Sequence, residues 1–129
     1  MKTSLVTTVS LLMLAFTGCA SLPPRQAVTD FREIAGTWQG TAYTKYGSSE
    51  LTLTISPDGS ATVKSQTING TFPLKLENGM ATWRAVNPPP NAAAAGEYVL
   101  YGQGAEQILV SRNTTTAGVQ YETRYKRMK

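Results

Sequence analysis

The chain contains no histidine and only one cysteine among its 129 residues. Without histidine it lacks the commonest general base and the commonest metal ligand. With a single cysteine it has no intramolecular disulfide to help it fold. Acidic residues are also scarce, eight against twelve Lys and Arg. Asp58, Glu77, Glu97, Glu106 and Glu122 fall mostly at expected turns or on polar strand faces, and no two are spaced for acid–base work. The serines have no base to activate them, and no metal-ligand cluster is present. The sequence therefore gives no case for an enzyme, a metal site or a cofactor, and nothing in it points to nucleic acid. Its length suits one domain.

Long apolar runs are missing as well. The uncharged stretch from Leu5 to Phe16 is shorter than the roughly 20 residues a transmembrane helix needs. It follows the basic Lys2 and precedes the small residues Thr17-Gly18-Cys19-Ala20-Ser21, which is the pattern of a secretory signal. Residues 1–18 are accordingly set apart from the fold. The order Phe16-Thr17-Gly18-Cys19 resembles the bacterial lipobox, in which an apolar residue and two small ones precede a cysteine that becomes acylated. Leucine is usual where Phe16 stands. The resemblance implies a lipoprotein cut before Cys19, carrying diacylglycerol on the thiol and an acyl chain such as palmitate on the new amine. Two or three chains hold a protein to a membrane where one does not. Ala20, in place of an inner-membrane retention residue such as aspartate, implies the outer membrane. The alternative is an ordinary signal peptide cut near Ala20 with an incidental cysteine.

Residues 19–33 are expected to be the lipidated cysteine and a tether stiffened by Pro23-Pro24, with Asp30 capping a helical turn before Gly36. From there to residue 129 apolar residues alternate and glycine turns recur. The expectation is all-β, an antiparallel up-and-down barrel of about eight strands or a small sandwich. The strands are placed at Thr37–Lys45, Glu50–Ser56, Ser60–Gln66, Gly70–Glu77, Met80–Val86, Glu97–Gly102, Glu106–Arg112 and Gly118–Arg127. Asn78-Gly79 is the strongest hairpin signal. Pro73 lies within the fourth strand, where it requires a bulge or gap. Residues 87–96 form the longest loop, with one helical turn allowed by the alanines; the loop can lie as a lid over one barrel mouth.

Gly36-Thr37-Trp38 at the start of the first strand, with a basic last strand, resembles the calycin superfamily of lipocalins, fatty-acid-binding proteins and avidins. There a Gly-x-Trp packs against a basic residue of the last strand. The resemblance implies a floor of Gly36, Trp38 and Arg127, with Arg124 as the second choice of partner, and an indole–guanidinium stack of about 0.5–2 kcal/mol. A weaker similarity, to membrane-bound C-type lysozyme inhibitors, rests on Tyr98 to Glu106. Their disulfide and their signature serine-glycine and lysine-glycine pairs are missing here.

Trp83, Tyr98, Tyr101, Tyr121 and Tyr125 are the candidate ligand-binding residues, either converging on a cavity or simply filling the interior. Tyr43, Lys45 and Tyr46 form a second candidate patch. The C-terminal cations Arg124, Lys126, Arg127 and Lys129 either meet anionic envelope material or form the solvated face of a terminal strand. The leading expectation is a lipid-anchored calycin-like barrel binding a small apolar or amphipathic ligand. The alternative is a packed barrel that binds an envelope protein, peptidoglycan or a hydrolase.

Overall fold

A computed structural model describes residues 22–44, 47–66 and 69–128. The signal-like segment, Cys19, Lys45 and Tyr46 lie outside the described residues. The strands are β1 (Arg25–Gln26), β2 (Gly36–Thr44), β3 (Gly47–Ile55), β4 (Ser60–Lys64), β5 (Asn69–Pro73), β6 (Lys75–Glu77), β7 (Met80–Arg84), β8 (Ala93–Tyr101), β9 (Ile108–Thr115) and β10 (Gln120–Arg127). The nine strands from β2 onward follow the order β5-β4-β3-β2-β10-β9-β8-β7-β6. From β2 onward sequence neighbours other than β5 and β6 pair antiparallel, and β10 pairs with β2. The result is an up-and-down barrel, closed except between β5 and β6.

The gap falls at the proline. Asn69–Pro73 pairs backward with β4, whereas Lys75–Glu77 pairs forward with β7. Between them the Leu74 N–H donates to the Gly59 carbonyl at 2.7 Å. Proline has no N–H for a ladder, so the expected strand Gly70–Glu77 changes partners there and is divided in two. Asn78 and Gly79 both have positive φ, 52° and 77°, as a tight I′-type hairpin requires.

The seam between β2 and β10 is also short. Its register runs only from Tyr125↔Gly40 to Arg127↔Trp38, although β2 continues to Thr44 and β10 begins at Gln120. Gly40 permits this closure. A Cβ there would lie 2.7 Å from the Arg124 carbonyl oxygen and 2.9 Å from the Tyr125 ring.

Two expectations are corrected. Ala93, Ala94 and Ala95 form no helical turn, and the strand begins at Ala93 instead of Glu97. Ala95 pairs with Arg84 on one side and Thr114 on the other, so two flanking strands override the helix preference of alanine. The connecting loop is thereby reduced to residues 85–92. It is tied to the β9–β10 turn, where the Asn91 N–H donates to Thr116 Oγ1 at 2.7 Å and the Thr116 N–H to the Ala92 carbonyl at 3.0 Å.

The segment expected as a tether is docked from Pro24 onward. The Pro24 carbonyl accepts from the Gly102 N–H at 2.9 Å, and β1 pairs with Tyr101 and Leu100. These lie beyond the part of β8 that β7 covers, so β1 extends the wall. Val28 is buried in the core and donates its N–H to the Gly79 carbonyl at 2.9 Å. The turn Phe31–Glu33 follows, capped by Asp30 Oδ1, which accepts the Arg32 N–H at 2.9 Å. The Arg32 guanidinium, donating to Asp30 Oδ2 at 2.7 Å, and that backbone bond hold the exposed Asp30 carboxyl at a pKa of about 2.

Candidate functional site

At the lower end, Trp38 is fully buried and its Nε1–H donates to the Ile34 carbonyl at 2.9 Å. The Arg127 guanidinium lies 4.3 Å from the Trp38 ring centroid. It donates to the Ala35 carbonyl at 2.7 Å, the Glu33 carbonyl at 2.9 Å and Gln107 Oε1 at 3.0 Å. Gly36 stands beside it, with φ of 127° and Arg127 Nη1 at 3.3 Å from a built Cβ. Two residues bonded here, Glu33 and Ala35, come from the turn before the barrel, so one cation joins the first strand, the last strand and the N-terminal segment. Arg124 takes no part in this floor; it faces outward and meets Glu122 at 3.4 Å.

Above the floor the interior has two unlike walls. The inward positions of β3, β4 and β5 are Leu51, Leu53, Ile55, Ala61, Val63 and Phe72, all in or against the hydrophobic core. The inward positions of β8, β9 and β10 carry the apolar Leu100 and Leu109 and, with them, Tyr98, Ser111, Asn113, Tyr121, Thr123 and Tyr125, set by the register Leu100↔Leu109↔Tyr125, Tyr98↔Ser111↔Thr123 and Gly96↔Asn113↔Tyr121. Among the described residues, Arg127 is the one charged side chain at an inward strand position.

In the middle of the barrel this polar wall is sealed. Tyr98, Ser111, Thr123 and Tyr125 are all buried, with Tyr98 directly opposite Ser111 in the register. Burial, with the neighbouring Tyr125 hydroxyl, pushes the Tyr98 pKa well above its ordinary value. Burial and Tyr121 push Tyr125 up to about 12. These phenols remain neutral donors throughout the physiological range.

The upper end is less complete. Tyr121 faces inward by register yet is 47% exposed, because β2 and β10 no longer pair at that height. Across the sheet from it lie Asn113, Gly96 and then Trp83. The Trp83 and Phe72 ring centroids are 4.9 Å apart, which brings β7 and β5 together across the gap. Trp83 Nε1 and Asn113 Oδ1 are both cut off from solvent and have no hydrogen-bond partner. Both press on Gly96, at 2.3 and 2.2 Å from where a Cβ would stand, so no larger residue fits without displacing them. A buried donor and a buried acceptor thus lie side by side, each carrying an unmet cost of about 1–3 kcal/mol.

The candidate residues are therefore divided. Tyr98, Tyr121, Tyr125 and Trp83 share the interior, the first and third sealed and the other two near the mouth. Tyr101 does not join them. It alternates with the inward Leu100 and lies on the outer face. Tyr43 is also outward and 83% exposed. Asn113 and Gly96 were not among the residues singled out from sequence. Their weight comes from cross-strand register, which the local pattern does not supply.

On the outer face Arg112 lies between Glu97 at 3.8 Å and Glu122 at 3.4 Å. An open groove of about 910 Å³ crosses this face; Trp83, Gly96 and Asn113 also line it, beside polar residues such as Lys75, Thr82, Arg84 and Gln120. No group of three or more His, Cys, Asp or Glu able to hold a metal occurs among the described residues. Comparison with known proteins found no matching family model, no matching curated protein and no matching solved structure.

Proposed function

We propose that this protein is a lipid-anchored binding module of the bacterial cell envelope, whose calycin-like barrel takes a small amphipathic molecule at its upper end. It carries out no reaction. The anchor is read from the signal-like residues 1–18 and from Cys19 after Phe16-Thr17-Gly18; Ala20 directs it to the outer membrane. One observation carries the binding reading. The interior pairs an apolar wall with a wall of neutral hydroxyl and amide groups, and at its less sealed end an indole N–H and an amide oxygen lack partners. An amphipathic molecule would place its chain against Phe72 and Val63 and its polar end toward β9. Sites of this kind are mostly apolar, with a few convergent polar groups.

Trp83 is the residue to test. Trp83→Ala removes the ring that meets Phe72 and the unpaired donor, so it should abolish uptake of amphiphiles measured by isothermal titration. Retained uptake with merely lowered stability would assign Trp83 to the core alone.

The outer groove favours a second reading, in which a packed barrel presents its polar face to an envelope protein, peptidoglycan or a hydrolase. Crosslinking in whole cells from Arg84 or Gln120 should then capture one reproducible partner.

A further inference from the structure

We infer that the lower end of the barrel lies against the phospholipid headgroups of the membrane that holds the anchor, so that the upper end points away from the lipid. The inference rests on the lipid anchor proposed above and deepens it.

The reach of the chain sets this orientation. Leu22 stands three residues after Cys19, and three extended residues span at most about 11 Å. Beyond that the chain adds no slack, because it is fixed to the lower end at once. Pro23 Cγ lies 3.0 Å from where a Gly102 Cβ would stand, and the Pro24 carbonyl accepts from the Gly102 N–H at 2.9 Å. Next, β1 pairs with Tyr101 and Leu100, and Arg25 Nη2 donates to the Asn78 carbonyl at 3.2 Å. The Val28 N–H closes the attachment on the Gly79 carbonyl at 2.9 Å. Since β8 runs down toward Gly102 and β7 runs up from Gly79, both of these turns belong to the lower end.

The upper end is out of that reach. β2 takes nine residues to pass from Gly36 at the floor to Thr44 at the top. At about 3.3 Å per residue and a barrel tilt of about 40°, the top stands roughly 20 Å above the floor. The residues beside the lipid joint are those that share a cleft with Pro23, among them Ala105, Glu106, Gln107 and Lys126. The lower end carries cations and carboxylates alike, such as Arg25, Arg32 and Lys126 with Asp30, Asp58 and Glu106. Reach, not net charge, therefore fixes the orientation. A molecule that meets the upper end arrives from the aqueous side.

The test uses the acylated protein itself. Its one cysteine is consumed by the thioether, so a cysteine introduced elsewhere is the sole free thiol. Gln103→Cys marks an exposed lower turn, and Ser48→Cys and Val86→Cys mark exposed positions at the upper end. Each variant, processed in a bacterial host, is given a maleimide fluorophore. It is then reconstituted into phosphatidylethanolamine–phosphatidylglycerol vesicles that contain lipid with a nitroxide on its headgroup. Strong quenching is expected at position 103 and quenching near background at positions 48 and 86. Inserting about ten Gly and Ser residues between Ser21 and Leu22, a coil of roughly 17 Å, should remove most of the contrast. Quenching at either upper position equal to that at position 103 in the chain without the insertion would overturn the orientation. A contrast undiminished by the insertion would overturn reach as its cause. Protein that takes two labels and washes off the vesicles would show that Cys19 carries no lipid, and the inference would then fall with the anchor.

Discussion

The guanidinium of Arg127 lies against an indole and donates to two backbone carbonyls and a glutamine side chain. Burial disfavours its charged form and lowers its pKa, but from so high an ordinary value that it stays charged. Arg127→Met keeps the stem and removes every donor. It leaves the Glu33 and Ala35 carbonyls without this partner and strips the charge from the face of Trp38. Loss of charged hydrogen bonds and a cation–π contact together should cost about 2–4 kcal/mol. Urea denaturation followed by Trp emission will read that loss. A midpoint unchanged from the parent would mean that the floor does not depend on this cation.

Among the elements, the N-terminal segment departs most from its expected role. Residues 24–28 do not hang free; they extend the barrel wall and bury Val28. Their sequence, Pro-Arg-Gln-Ala-Val, has no alternation long enough to register as a strand, and two residues of pairing leave no periodic trace. The lipid anchor proposed three residues before Leu22 is tested separately. Cys19→Ala should move the protein from the membrane pellet to the soluble or uncleaved fraction on cell fractionation. A processed protein recovered in the membrane as fully as the parent would rule the anchor out.

The strands of the barrel were legible for a physical reason. Leu51, Leu53 and Ile55 alternate with threonines on β3, and Tyr121, Thr123 and Tyr125 alternate with charged residues on β10, because each strand buries only one face. Pro73 marked the gap because a missing N–H is visible in sequence. The alanines of β8 misled because alanine's preference is local, whereas their pairing with Arg84 and Thr114 is not. The site was harder to read still. Trp83 stood out as a large ring among small neighbours, but its partners Asn113 and Gly96 are defined by register between strands. Tyr101 was grouped with Tyr98, although residues three apart on a strand face opposite sides.

At the scale of the whole molecule, the barrel combines a sealed, tyrosine-rich middle with a less closed upper end. The sealed middle predicts an alkaline limit. Burial raises the pKa of Tyr125 from 10.0 to about 12, and that of Tyr98 further. The fold therefore binds these protons more tightly than the unfolded chain. The resulting stability is complete below about pH 10, where both states are protonated, and is lost as pH rises through the folded values. Urea midpoints should be nearly level from about pH 7 to 9 and fall between about pH 10 and 12. Replacing Tyr98 and Tyr125 with Phe should flatten that fall; an equally steep fall in the double variant would exclude the two phenols as its cause.

The upper end is where the account of function stands or falls, and native mass spectrometry tests it most directly. The full chain carrying Cys19→Ala would be produced in a bacterial host, purified without detergent and sprayed under gentle conditions. The account predicts a reproducible added mass, lost on denaturation and absent from the Trp83→Ala variant. A bare protein mass that persists after incubation with extracted envelope lipids would contradict it and turn attention to the outer groove.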